Sequence, residues 1–319
     1  MKESMNMKKL SLALAILVTA VMAGNAATAT SDVVGYSKLD IPVGGRFIAP
    51  VFVKPAVFTG SATISSGVLT VPSSLTPSAL NQTAFNDRPN FPKYYAKVTS
   101  SGSNEGLVLD VVSNTASTIT VSGASGLSGT ISIEVIPHYT LLDFANASSN
   151  LQPYADAVTF YDSGNGKRAY YYTGSGFVAD DYSTPADHVV VYPGSGFILN
   201  AGATSSVTMT GRVNQTKTLV PVYAGESIVA PIDPSGITKI ADSNLGSAMA
   251  AYADAASAVL LDGSLATTAY YTDGAGMLDD SYTSLNPNDA NTPKVAAGNG
   301  FIINANADGY WVQPPVITK

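Results

Sequence analysis

Acidic residues in two related segments offer the clearest coordination chemistry in the sequence. Asp180 and Asp181 follow one tyrosine-rich segment, and Asp279 and Asp280 follow the other. Carboxylates beside backbone carbonyls suit calcium, which prefers oxygen ligands. There is no EF-hand spacing here, so the simpler interpretation is a solvated turn whose carboxylates accept backbone hydrogen bonds. Both interpretations stay open at this point.

The same two segments carry consecutive tyrosines ahead of a Gly-x-Gly. They are Tyr170, Tyr171 and Tyr172 in "AYYYTGSGF", and Tyr270 and Tyr271 in "AYYTDGAGM". Alternate residues of a strand face opposite sides, so Tyr170 and Tyr172 would share one face and Tyr171 would occupy the other. Packing within the sheet is the favoured role. An exposed tyrosine, with its apolar ring and polar tip, would instead suit binding to carbohydrate or another polymer.

The Gly-x-Gly segments lack the context of a phosphate-binding loop. Such a loop opens onto a helix N-terminus and is often followed by Lys-Ser or Lys-Thr. Here the glycines are followed by "FVADDY", "FILNA", "MLDDSY" and "FIINA", which continue as strand or turn. We interpret them as turns between strands.

Catalytic chemistry has little support in the sequence. The two histidines, His138 and His188, lie in neither an HExxH motif nor a triad pattern. A glycosidase needs only two carboxylates, which composition does not exclude. The duplicated aspartates nevertheless have the character of turn residues. We therefore expect a non-catalytic protein, assign no catalytic residue, and retain calcium as the one candidate cofactor.

The composition favours a mainly-β protein. Charged residues make up 12% of the 319 residues and hydrophobic residues 45%, against a usual charged share of about 25%. Glycine, serine and threonine interrupt the apolar runs too often for a helical protein. The chain has no cysteine, so its stability must come from its core, bound ions or assembly rather than from disulfides.

The first 29 residues have the pattern of a secretory signal peptide. Lys8 and Lys9 precede the apolar run "LSLALAILVTAVMAG", and small residues follow it. The run is shorter than the roughly 20 residues that a membrane span needs. We therefore expect an exported protein, periplasmic, cell-surface or extracellular, with no transmembrane helix after cleavage. The formal net charge of −7 argues against nucleic acid and anionic lipid as partners.

Internal repetition organises the rest of the chain. "YADA" occurs at 154 and 252, "AYYYTGSGF" at 169 matches "AYYTDGAGM" at 269, and "GSGFILNA" at 194 matches "GNGFIINA" at 298. Upstream, "LDIPVGGRFIAP" at 39 resembles "LVPVYAGESIVAP" at 219. The change in offset predicts a first unit at 30–214 that carries an insert at about 55–137, and a shorter second unit at 215–319.

Short apolar or alternating runs separated by Ser, Gly and Asn predict antiparallel strands in both units and in the insert. Examples in the insert are "GLVLDVVS", "STITVSG" and "ISIEVIP". One short helix is predicted in each unit, at "TLLDFANASS" and at "NLGSAMAAYADAAS", the second being favoured by its alanines. The expected fold is mainly β, with antiparallel β-sandwich or small-barrel units, one or two short helices and a tandem duplicated unit.

The stretch "YYAKVTSSGSNEGLVLDVVSNTASTITVSG", followed by "IEVIPHYTLLDFA", "YADAVTFYD" and "GSGFIL", resembles an uncharacterised family of secreted proteins of Verrucomicrobia and related bacteria. The resemblance spans Val33 to about Ala203 and is most specific in "GSNEG", "NTASTITV" and "IPHYTL". It implies export and a cell-surface or matrix setting. It implies no activity and no catalytic residues.

Three functions are compatible with these observations. The first is a structural or interaction protein of the cell surface or extracellular matrix, which would act by self-association or by binding a surface polymer. The second is a carbohydrate-binding module, with or without calcium. The third and least favoured is an outer-membrane β-barrel, because the ending "QPPVITK" has neither a terminal aromatic residue nor a closing strand.

Overall fold

Short alternating segments joined by turn residues fold into strands throughout the part of the chain that the structure describes. The structure is a computed structural model and describes residues 32–84, 91–162, 166–236, 238–259 and 265–317. Residues 34–319 form one compact unit. The predicted signal peptide, residues 1–29, lies outside the described residues. The mainly-β prediction is confirmed.

Two strands of the first unit precede the insert: β1 (Val34–Ile41) and β2 (Gly44–Ile48). Six strands then form a closed barrel in the order β3-β4-β7-β6-β5-β8. Their bounds are β3 (Phe58–Ser65), β4 (Val68–Thr70), β5 (Tyr94–Val98), β6 (Val108–Asn114), β7 (Thr118–Val121) and β8 (Gly129–Pro137). This barrel lies within the segment, about 55–137, that the repeat pattern marks as an insert.

The barrel is a small, filled one. Side chains on the inner faces of its strands, among them Ile64, Leu69 and Leu109, are buried in one apolar cluster. Strands β3 and β4 are joined by Ser66 and Gly67, which both have positive φ, at 49° and 77°. This two-residue turn with left-handed backbone matches the twist of an antiparallel hairpin.

The remainder of the first unit contains one helix and eight strands among the described residues. They are β9 (Tyr139–Thr140), α1 (Leu141–Ala147), β10 (Ser148–Ser149), β11 (Ala157–Asp162), β12 (Gly166–Tyr172), β13 (Phe177–Ala179), β14 (Val190–Val191), β15 (Phe197–Ala201) and β16 (Ser205–Arg212). Strands β13-β12-β11-β15-β2 form an antiparallel sheet, and β1-β16-β10 form another.

The second unit repeats this arrangement. Its strands are β17 (Thr218–Val222), β18 (Gly225–Val229), β19 (Thr238–Lys239), β20 (Ala255–Val259), β21 (Leu265–Thr272), β22 (Met277–Leu278), β23 (Lys294–Val295), β24 (Phe301–Ala305) and β25 (Gly309–Gln313). The sheet β22-β21-β20-β24-β18 has the strand order of the five-stranded sheet in the first unit, and β17-β25 corresponds to β1-β16.

The helix prediction was right for the first unit and wrong for the second. In α1, Thr140 and Asp143 form a capping box, in which each side chain accepts a hydrogen bond from the other residue's backbone N–H. The favoured segment of the second unit forms only a short 3₁₀ helix, Leu245–Ala248, after Asn244, whose φ is 56° and whose side chain makes no cap. Its last alanines lie in β20 instead. None of the helices in the described residues is long and apolar enough to cross a membrane.

The two units contact each other through equivalent residues. The N–H of Ala49, after β2, donates to the carbonyl of Gly298 at 3.0 Å, and the N–H of Ala230, after β18, donates to the carbonyl of Gly194 at 2.8 Å. Phe47 shares a buried cluster with Ala49, Ala230 and Ile228. Since each unit supplies the same donor, acceptor and apolar positions, the contact is reciprocal, as in a two-fold symmetric dimer.

The barrel is attached to the rest of the fold by buried polar contacts. Arg212, at the end of β16, donates two hydrogen bonds to the Glu134 carboxylate of β8, at 3.0 and 2.5 Å. Lys97 of β5 donates to Asn214 and Thr218, both at 2.8 Å. Both acceptors lie at the junction of the two units, so the barrel is attached to the segment that joins them.

A close approach at Gly300 generates the first prediction. A Cβ at this position would overlap the Val229 carbonyl and approach the Phe47 ring to 2.9 Å. We expect Gly300→Ala to lower the free energy of unfolding by about 2–3 kcal/mol, because the strand and the inter-unit contact must both shift. Urea unfolding monitored by circular dichroism measures this. The matched control is Gly276→Ala, whose Cβ would meet nothing within 4 Å. If the two variants are equally stable, close packing at Gly300 is not required.

A second prediction concerns the burial of Lys97. Desolvation lowers the pKa of this amine to about 7, against the opposing attraction of Glu134. The unfolded chain, with a lysine pKa near 10.4, then binds more protons than the folded one above pH 7, so stability rises with pH. We expect the free energy of unfolding to increase by about 2 kcal/mol between pH 7 and pH 9. Lys97→Met should remove this increase. An equal increase in Lys97→Met would assign it to other groups.

Candidate functional site

Three tyrosines of the first unit meet at the surface. Tyr154 precedes β11, Tyr171 lies on β12, and Tyr182 follows β13. The ring centroids of Tyr171 and Tyr182 lie 4.6 Å apart, and those of Tyr154 and Tyr182 lie 6.5 Å apart. A hydrogen bond with the Tyr171 side chain raises the pKa of Tyr182 above its ordinary value. We call these three residues the first tyrosine cluster.

The second unit builds the same arrangement from equivalent positions. Tyr252 precedes β20, Tyr271 lies on β21, and Tyr282 follows β22. The centroids of Tyr271 and Tyr282 are 5.0 Å apart, and those of Tyr252 and Tyr282 are 6.0 Å apart. This is the second tyrosine cluster. Two copies of one aromatic arrangement therefore stand on one molecule.

Both clusters are accessible to a ligand. Tyr154, Tyr182, Tyr252 and Tyr282 are 54–60% exposed, and the strand tyrosines Tyr171 and Tyr271 are half-buried beneath them. Tyrosine presents a large, rigid ring at the expense of only two side-chain torsions. Each cluster is thus an exposed aromatic surface that needs little further ordering to bind.

The loop tyrosines adopt a backbone conformation that tyrosine rarely takes. Their φ angles are 59° at Tyr154, 56° at Tyr182, 55° at Tyr252 and 60° at Tyr282. For residues with a Cβ, this left-handed region costs about 1 kcal/mol or more and occurs mainly at glycine and asparagine. The backbone conformation of these loops therefore does not favour tyrosine at these positions.

Backbone hydrogen bonds hold the strained residues in place. The N–H of Tyr154 donates to the carbonyl of Tyr172 at 2.6 Å, and the N–H of Tyr252 donates to the carbonyl of Thr272 at 2.9 Å. After β13, the N–H of Tyr182 donates to the carbonyl of Ala179 at 3.0 Å. The N–H of Tyr282 makes the same bond in the second unit. Each ring is therefore presented by a backbone fixed to the sheet.

A buried aspartate in each "YADA" segment fastens the loop before the sheet. Asp156 accepts hydrogen bonds from the N–H groups of Gln152 at 2.8 Å and Gly202 at 2.6 Å. Asp254 accepts the equivalent bonds from Ala250 at 2.8 Å and Asn306 at 2.9 Å. These carboxylates tie the loop that carries the first tyrosine of each cluster to the end of a neighbouring strand.

The acidic residues after the sheet hairpins form turns. Asp181 accepts hydrogen bonds from Ser183 and Thr184, chiefly the Thr184 hydroxyl, which hold its pKa below the usual value. Asp279 accepts from Ser281 and Thr283, with the same effect on its pKa, led by the Ser281 hydroxyl. These bonds shape the turn that carries the third tyrosine of each cluster.

The predicted calcium ligands are not brought together around one point. Asp180 and Asp280 are exposed beside the turns. Among the described residues, no group of three or more histidine and acidic side chains is placed to hold a metal ion. Calcium binding at Asp180, Asp181, Asp279 and Asp280 stays a prediction.

The remaining predicted tyrosines divide between core and surface. Tyr170 and Tyr270 are each only 3% exposed and belong to the cores of their units. Their assignment to a binding face is corrected, because the alternation of the strand turns them inward. Tyr172 is half-buried, packs on Phe177, and donates its hydroxyl proton to the Gly174 carbonyl at 2.9 Å. Tyr171 and Tyr271 are the predicted residues that reach the exposed clusters.

Sequence reasoning missed the loop tyrosines, although each stands in a segment that repeats. Tyr154 and Tyr252 open the two "YADA" segments, and Tyr182 and Tyr282 follow the acidic pairs at an offset of 100. The sequence does not reveal the left-handed backbone conformation that places these rings over the strand tyrosine. The two histidines are buried elsewhere: the His138 ring packs on Tyr95, and the His188 ring packs on Phe91.

Comparisons with models of protein families, with curated proteins and with solved structures give no match to this chain.

Packing in the hairpins generates the third prediction. Tyr282→Asn should change the free energy of unfolding by less than about 1 kcal/mol, because relief of the left-handed backbone offsets the lost ring contacts. Tyr270→Ala, in the same hairpin, should cost about 3–5 kcal/mol by emptying a core position. Thermal or urea unfolding compares the two. A loss of more than 2 kcal/mol in Tyr282→Asn would mean that the cluster serves stability.

Proposed function

We propose that this chain is an exported, non-catalytic interaction protein of the cell surface or extracellular matrix, and that it binds a surface glycan. The pair of exposed tyrosine clusters carries this proposal. The signal-peptide pattern of residues 1–29 supports the location, and the low content of charged residues supports a role among neutral polymers.

Glycans suit the chemistry of the clusters. The faces of the tyrosine rings are apolar enough to cover the C–H surface of a sugar ring, while their hydroxyl groups offer hydrogen bonds. Asp180 and Asp280 stand exposed beside the third tyrosine of each cluster and add acceptors for sugar hydroxyls. The formal net charge of −7 favours a neutral polymer over an acidic one.

Duplication strengthens such binding. A polymer repeats its own structure, so two equivalent clusters on one compact unit can engage one chain twice, or two chains once each. The second contact is then intramolecular, and avidity can exceed the affinity of a single cluster by about 10²–10⁴. Weak individual contacts of a few aromatic rings are therefore sufficient.

Self-association is the second candidate function, and strand β1 favours it. Among the described strands, β1 pairs with β16 alone. Val34 and Tyr36 on β1 are 70% and 77% exposed. A strand with an unpaired edge and exposed apolar side chains is a template for pairing with another chain. Assembly through this edge would build a matrix without any glycan.

Affinity electrophoresis in gels that contain neutral polysaccharides tests the proposed function and is the fourth prediction. The protein should be retarded by at least one polysaccharide, and the double variant Tyr182→Ala/Tyr282→Ala should lose the retardation. Each single variant should lose more than tenfold in affinity, because the second contact is lost. Calcium and EDTA lanes report whether the nearby aspartates take part.

The matched control is Tyr36→Ala, which removes a tyrosine outside both clusters that is 77% exposed, more than either substituted cluster tyrosine. This variant should bind glycan as the unchanged protein does. Sedimentation of the unchanged protein, the double variant and Tyr36→Ala separates the candidates. Assembly lost in Tyr36→Ala alone, with no retardation of any protein in the gels, would replace glycan binding by self-association. Retardation that persists in the double variant would contradict the role of the clusters.

A further inference from the structure

A cleft of about 480 Å³ opens where the barrel meets both units. Asp110 of β6 lines it from the barrel, Tyr161 of β11 and Tyr192 from the first unit, and Tyr223 and Tyr310 from the second unit. The volume lies in the range of small-molecule sites, about 300–1,000 Å³. None of these five residues belongs to the tyrosine clusters, so the cleft is a separate feature.

The Asp110 carboxylate is held in one orientation by two hydrogen bonds. One oxygen accepts from Nε2 of His138 at 3.1 Å, and the other accepts from the hydroxyl of Tyr192 at 2.9 Å. A carboxylate accepts only, so the His138 proton lies on Nε2. Each oxygen keeps a further lone pair, and the side chain remains 24% exposed in the cleft. The Asp110 carboxylate therefore has a fixed orientation and can accept a further hydrogen bond from a ligand in the cleft.

Both partners leave the carboxylate charge uncompensated. The tyrosine hydroxyl is neutral, and the His138 ring is fully buried, which lowers its pKa and favours the neutral imidazole in spite of Asp110. A carboxylate partly removed from water and supported only by neutral donors gains most from a cation. A cationic ligand would complete this site where a neutral one would not.

The aromatic lining is equally suited to a cation. Tyrosine rings attract ammonium groups that lie within about 6 Å of the ring centroid. The ammonium of Lys167 already lies 4.6 Å from the ring centroid of Tyr161, so Tyr161 is not counted among the rings that receive the ligand. Tyr310, which is 48% exposed, lines the cleft from the second unit and presents its ring to the cleft space.

We propose that this cleft binds a small organic ammonium ion, whose nitrogen pairs with the Asp110 carboxylate while tyrosine rings contact its apolar body. Amino sugars and choline-type compounds share this chemistry. The site goes beyond glycan binding at the tyrosine clusters and does not depend on it.

Isothermal titration of the purified chain with glucosamine, choline and N-acetylglucosamine tests the proposal and is the fifth prediction. At least one of the two cations should bind ten or more times tighter than N-acetylglucosamine, in which acetylation of the glucosamine amine removes its charge. Tighter binding of glucosamine would indicate an amino sugar, and tighter binding of choline a quaternary ammonium. Equal affinity for the neutral sugar, or no binding of either cation, would overturn the proposal.

Two variants locate the binding. Asp110→Asn should lower the affinity for the cation at least tenfold. Since this change also disturbs the hydrogen bonds from His138 and Tyr192, Tyr310→Ala serves as a second variant that removes an exposed ring, with an expected loss of at least threefold. The double variant Tyr182→Ala/Tyr282→Ala should bind the cation unchanged. Loss in that variant, or full affinity in both cleft variants, would contradict the assignment to this cleft.

Discussion

The reciprocal contact between the two units is the constraint on which the rest of the structure depends. Ala49, which follows β2 in the first unit, bonds to Gly298, which precedes β24 in the second unit. The equivalent residues with the units exchanged, Ala230 and Gly194, make the same bond. Gly194 and Gly298 have φ angles of 78° and 80°. A Cβ at Gly194 would overlap Val220, and one at Gly298 would approach Leu39 of the equivalent strand to 3.2 Å. Glycine at these turns thus serves the contact between units as well as the turn itself.

Insertion of the barrel into the first unit leaves that contact undisturbed because the ends of the insert meet. Phe58, at the start of β3, pairs with Val135 of β8, so the chain leaves and re-enters the unit at one place. Such geometry tolerates insertion, since the host strands keep their positions. The buried pair of Arg212 and Glu134 then fixes the orientation of the barrel. A buried ion pair contributes little net stability, and its geometry is better understood as specifying one arrangement.

The architecture could be predicted from the sequence wherever a pattern is local or repeated. Alternation predicted the strands. The drift in repeat offset predicts an insert at about 55–137, and the barrel strands β3 to β8 lie in that range. Alanine content misled at the second unit, because Ala255 and Ala256 serve β20 and the preceding Asn244 has a left-handed backbone. The tyrosine clusters and the Asp110 cleft combine residues from separate elements and depend on backbone angles and docking. A single sequence displays neither.

Sequence differences between the two units show which positions of the hairpins accept other residues and which keep the same one. Tyr172 corresponds to Thr272, Asp181 to Ser281, and Phe177 to Met277, so the packing and turn chemistry around the clusters has changed between the units. The two turns nevertheless have the same shape, because Asp279 accepts backbone hydrogen bonds in the second unit as Asp181 does in the first. Against this background, all three tyrosines recur in both clusters.

The recurrence is hard to attribute to stability. Four of the six tyrosines are more than half exposed and occupy backbone that glycine or asparagine would adopt with less strain. A fold free to substitute its core residues had equal freedom to relieve these positions. The structure holds six rings in matched geometry, on two strands, on two loops tied by Asp156 and Asp254, and on two turns shaped by Asp181 and Asp279. This arrangement supports the proposal that the rings bind a ligand outside the chain.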